Sequence, residues 1–112
     1  MEAPQQHALT QRARQRYLEE NIQGLNPVQL LIKVYEAAIQ SCVQNDRARL
    51  SRCLVELIAS LNFEQRDVAV PLFRLYNYCL REGKRGNFEV VKNIMTELRD
   101  SWQQTEQSPA AT

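Results

Sequence analysis

Glycine and proline are scarce, at 3 and 4 of 112 residues. So few turn-forming residues disfavour a many-stranded sheet and favour long helices. An excess of either charge is also missing. Fourteen Lys and Arg against thirteen Asp and Glu leave a formal +1, which removes bulk electrostatics as a reason to bind nucleic acid or insert at an anionic membrane. No apolar run approaches the ~20 residues of a membrane span. The opening MEAPQQHALTQRAR has no apolar core of a signal peptide. The expectation is one cytoplasmic domain, with no nucleic acid and no membrane insertion.

Histidine is nearly absent as well. The only one, His7, stands in a polar N-terminal stretch, and Cys42, Cys53 and Cys79 form no C-x-x-C pair. No zinc site follows from such a set, and the three cysteines read as free buried thiols behaving as small hydrophobes. There is no Ser-His-Asp or Cys-His set and no phosphate-binding glycine loop. Glu19, Glu20, Glu36, Glu56 and Glu89 fall mostly on polar helical faces and read as solvated surface. The expectation is no catalysis, no metal and no cofactor.

What the sequence does contain is helical periodicity. Asn26-Pro27 with Gln29 predicts a capped helix start. Leu31, Val34, Tyr35, Ala38 and Cys42 follow at the spacing of one face, widened by Val28, Ile32, Ile39 and Val43. Asn45-Asp46 breaks this helix and caps the next, whose stripe is Leu50, Cys53, Leu54, Leu57, Ile58 and Leu61. A third helix carries Val68, Leu72, Leu75, Tyr76 and Cys79. Pro71 is harmless there if the helix starts near Val70 and disruptive if it starts earlier. Gly83 is expected to end this helix with a left-handed residue. Asn87 is expected to cap a fourth helix bearing Val91, Ile94, Met95, Leu98 and Trp102. No segment alternates with period two.

The predicted fold class is therefore all-α: an antiparallel four-helix bundle with a short helical or extended N-terminal segment. The expected division is a polar tail over 1–16, the bundle over 17–103 and a disordered tail over 104–112.

Some apolar residues lie off the main stripes: Ala48, Val55 and Ala59 on the second helix, Val70 and Phe73 on the third. They either widen the core or line a groove for a partner's amphipathic helix. Tyr35 and Tyr76 sit on core stripes, where a phenol finds a hydrogen-bond partner. Gly83-Lys84-Arg85-Gly86 has the G-x-x-G form of a KH-type phosphate clamp, but that fold needs three strands and none is present. The bland reading is a helix-capping turn with solvated basic residues.

One family has a similar order of motifs. Tyr17-x-x-x-x-Ile22-x-x-x-Asn26-Pro27-x-x-Leu30-x-x-x-x-Tyr35-x-x-Ala38-Ile39 resembles the opening of the FliS flagellar export chaperones. Glu56-Leu57-x-x-x-Leu61-Asn62 is similar to that family's E-L-x-x-x-L-D. Leu72-x-x-Leu75-Tyr76-x-Tyr78 and Val91-x-x-x-x-x-x-Leu98-Arg99-x-x-Trp102 complete the resemblance. The chain reads as a short member, its first hairpin about two turns shorter on each side, with Asn62 in place of the usual aspartate and Pro71 at a commonly polar position.

The resemblance implies a non-enzymatic cytoplasmic chaperone that binds the disordered C-terminal segment of flagellin, blocks premature polymerisation and supports flagellar type III export. Contact with the export apparatus is part of that implication, and a homodimer is compatible with it. Tyr17 and Ile22 then belong to an N-terminal segment that lies over the binding surface. Val55, Ala59, Asn62, Val70, Phe73 and Tyr76 are the remaining candidate contacts. The alternatives are a helical adaptor for another client, or RNA binding at the Gly83–Gly86 turn.

Overall fold

The computed structural model describes residues 26–107, and among them the chain forms four helices and no strand. The first, α1 (Pro27–Val43), starts at the expected cap. Asn26 Oδ1 accepts from the Gln29 N–H at 2.8 Å, and Gln29 Oε1 accepts from the Asn26 N–H at 3.0 Å. That reciprocal pair satisfies two backbone donors a helix start otherwise leaves to water. α1 ends through Asn45, whose φ of 55° is left-handed. The Asn45 and Asp46 N–H groups return to the Cys42 and Ser41 carbonyls, the paired bonds of a Schellman motif. Asp46 then caps α2 (Arg47–Ala59) by accepting from the Arg49 N–H at 3.1 Å.

The third helix, α3 (Arg66–Lys84), starts earlier than Val70. Pro71 therefore lies inside it and deletes the bond to the Asp67 carbonyl. Asp67 and Pro71 are both exposed, so the proline stands on the solvent side of the helix.

Gly83 does not end α3. The left-handed residue is Gly86, with φ 85°, and the Gly86 and Asn87 N–H groups close back on the Gly83 and Glu82 carbonyls. Gly83 is buried one turn earlier, inside the helix. A Cβ there would sit 2.9 Å from Leu50 Cδ2, so glycine is present to let α2 and α3 approach closely. Asn87 precedes α4 (Phe88–Gln107), which runs about one turn past the boundary expected at residue 103. The Asn87 amide donates to Glu82 Oε1 at 2.6 Å, and Arg85 lies 3.3 Å from the other oxygen of that carboxylate.

Each helix packs on its two neighbours around a ring: α1 on α2 and α4, and α3 on α2 and α4. The α1–α4 pairing is the most extensive and α3–α4 the least. The core is Tyr35, Ala38, Cys42, Leu50, Cys53, Leu54, Leu57, Leu61, Ala69, Tyr76, Cys79, Val91 and Met95. Two stripes are rotated from expectation. On α1 Leu30 and Ser41 are buried while Leu31 and Val34 are half-buried; on α3 Ala69 is buried while Val68 is 50% exposed. All three cysteines are free and buried. Burial pushes the Cys42 thiol up to about 11, the Cys79 thiol up to about 12, and Cys53 upward too. They remain neutral core residues at neutral pH.

Candidate functional site

Alternating helix directions put the start of α1, the end of α2, the start of α3 and the end of α4 at one end of the bundle. The α2–α3 connection there, residues 60–65, is longer than the turns at the other end. The helices enclose a concave pocket of about 420 Å³. Val28, Leu31 and Val34 of α1 form one wall, Val68 and Leu72 of α3 another, with Leu57 and Leu61 between them and Trp102 of α4 closing the side.

Beneath it lies a short polar chain. The Tyr35 and Tyr76 hydroxyls are 2.6 Å apart, and Trp102 Nε1–H donates to the Tyr35 hydroxyl at 3.2 Å. Tyr35 is fully buried and Tyr76 is 1% exposed. Burial pushes both phenols up, so neither ionises in the neutral range. These bonds anchor three aromatic rings from α1, α3 and α4 and give the pocket a fixed floor. Trp102 thus both fastens this end of the bundle and lines the pocket.

The candidate contacts separate into distinct places. Asn62 and Tyr76 line the pocket, although Tyr76 contributes from the core and offers almost no free surface. Asn62 Oδ1 accepts from the Glu64 N–H at 3.0 Å and so shapes the rim loop. Aspartate has the same acceptor, which makes the replacement conservative here. Val55, Ala59, Val70 and Phe73 are outside the lining. Val55 is 55% exposed and Phe73 37% exposed, with Phe73 edge-on to Phe63 at 5.8 Å between ring centroids. The off-stripe residues of α2, Ala48, Val55 and Ala59, do not widen the core: all three are exposed. Tyr17 and Ile22 lie outside the described residues.

Periodicity did not single out the pocket, because it is assembled from residues of four helices and the 60–65 connection. The one advance signal was Val28 and Val68, apolar stripe positions at helix starts. Glu56 is a second correction. It is half-buried and lines the pocket, and burial raises its carboxyl pKa.

The G-x-x-G residues are accounted for by packing and capping. Gly83 faces Leu50 and Gly86 supplies the positive φ, so the motif needs no phosphate to explain its glycines. Among the described residues no cluster of three or more His, Cys, Asp or Glu is placed to hold a metal. No described helix is long and apolar enough to cross a membrane.

No curated protein and no solved structure matches the chain. A family model does: that of the flagellar protein FliS matches residues 44–109, more than half of the sequence. The match runs from the Schellman turn after α1 through α2, α3 and α4, and so takes in most of the pocket. The four-helix ring, its order of motifs and this match agree, and the chain belongs to the FliS family of flagellar export chaperones.

Proposed function

We propose that this chain is a cytoplasmic chaperone for flagellin, and that it seats flagellin's C-terminal segment in the end pocket. The observation that carries this reading is the pocket itself: apolar walls, an aromatic floor held by hydrogen bonds, and no described side chain filling it. A segment that cannot bury its apolar face until it polymerises is an aggregation hazard, and a preformed concavity hides that face. Ordering the segment costs on the order of 2–5 kcal/mol, which apolar burial offsets. Exposed Val55 and Phe73 are proposed as outlying contacts for a client longer than the pocket. Tyr17 and Ile22 are proposed to cover the pocket when no client is present.

Calorimetry and circular dichroism with a flagellin C-terminal peptide test this. The peptide should bind and gain helicity. Val68→Glu, at a half-exposed wall position, should leave the bundle folded and weaken binding about tenfold or more by placing an ion against apolar surface. Neutralising Lys84 and Arg85 at the opposite end should change little. A peptide that does not bind, or that binds Val68→Glu like the parent, overturns the assignment.

A further inference from the structure

Glu56 is the only carboxylate in the pocket lining. It is half-buried, and among the described residues its side chain forms neither an ion pair nor a hydrogen bond. The other buried or half-buried carboxylates among the described residues differ in this respect: Glu82 holds Asn87 and Arg85, and Asp46 accepts from the Arg49 N–H. A half-buried acceptor in a lining that also holds Leu31, Leu57 and Leu61 has lost hydration without gaining a donor. Loss of hydration is the only cause of its raised pKa, so no positive group of the described residues compensates it.

We propose that Glu56 makes the pocket selective for a cationic side chain: the seated segment places a Lys or Arg against this carboxylate, with apolar side chains on either side. This rests on the pocket being the client's seat and adds what the seat recognises. A charge-assisted bond in a partly desolvated site is stronger than the same bond in water. A neutral segment of equal shape would bury Glu56 without a partner and bind more weakly. Apolar burial supplies affinity, and Glu56 decides which register of an amphipathic segment is accepted.

Two small probes test this without reference to flagellin. Phenethylguanidinium and its neutral counterpart phenethylurea share an apolar body and differ in charge. Trp102, the only tryptophan in the sequence, reports occupancy by its fluorescence. The guanidinium should bind about tenfold more tightly than the urea. In Glu56→Gln that preference should vanish while urea affinity holds, with circular dichroism confirming the fold. Equal binding of the two probes by the parent protein overturns the proposal. So does a preference that survives in Glu56→Gln, or no response of Trp102 to either probe at millimolar concentration. A flagellin peptide that fails to bind sinks the client assignment, whereas the probe pair decides on Glu56 alone.

Discussion

The two ends of the bundle solve opposite problems with the same four helices. At one end, two Schellman turns through Asn45 and Gly86 reverse the chain in a few residues, Leu50 packs against Gly83, and Glu82 ties Asn87 and Arg85 together. At the other, the longer α2–α3 connection holds the helix ends apart around an apolar pocket. Caps and close approach make the first end self-sufficient, while the second leaves apolar surface unfilled. The comparison teaches where this small domain places its stability and where it gives stability up to recognise something else.

The sharpest way to break that contrast is to truncate one leucine at each end. Leu50, 1% exposed and in contact with Gly83, should cost about 2–5 kcal/mol as Leu50→Ala. Leu31 is half-buried at the pocket wall, and Leu31→Ala should cost clearly less because water already reaches the site. Urea unfolding of both variants measures this, and equal losses would mean that the two ends are not energetically distinct.

A smaller effect probes the aromatic floor. Tyr35 is the shared hydroxyl, so Tyr35→Phe strands the buried Tyr76 hydroxyl and should cost about 2 kcal/mol. Tyr76→Phe leaves Tyr35 still accepting from Trp102 and should cost less than half as much. The reverse order would show that the chain is organised around Tyr76. Smallest of the three is Gly86→Ala, which forces an L-residue to a φ of 85° and should cost about 1 kcal/mol. No loss would mean that the α3–α4 turn relaxes freely and that the closed end is less rigid than its hydrogen bonds imply.

Much of the closed end was legible in the sequence because its signals are local. Asp46 before an apolar run announces a helix start from neighbouring residues alone, as Asn26-Pro27 with Gln29 does at the pocket end. The two glycines were not separable that way. Gly83 and Gly86 both suit a helix end, and only the approach of Leu50, some thirty residues away in sequence, assigns one to packing and the other to the cap. On α3 the inward position is Ala69 and not Val68, since a small residue fits beneath the pocket while the larger one stands at its wall. Periodicity separated the exposed Val55 and Phe73 from the core stripes. It did not assemble a pocket from four helices and the 60–65 connection, nor mark Glu56 as different from the other surface carboxylates, because both depend on how the helices meet.

Pro71 gives the pocket a moving part. The turn before it, which carries Val68 and Ala69, has no side-chain cap at Gln65 and is tied to that residue by the Val68 and Ala69 N–H groups. With the bond to Asp67 deleted, this turn has one backbone bond fewer to the rest of α3, whose Tyr76 and Cys79 lie deeper in the helix. Amide hydrogens at Val68 and Ala69 should therefore exchange with deuterium well before those at Tyr76 and Cys79, which wait for global unfolding. That order of exchange would mark the Val68 wall of the pocket as a turn that opens separately from the rest of α3.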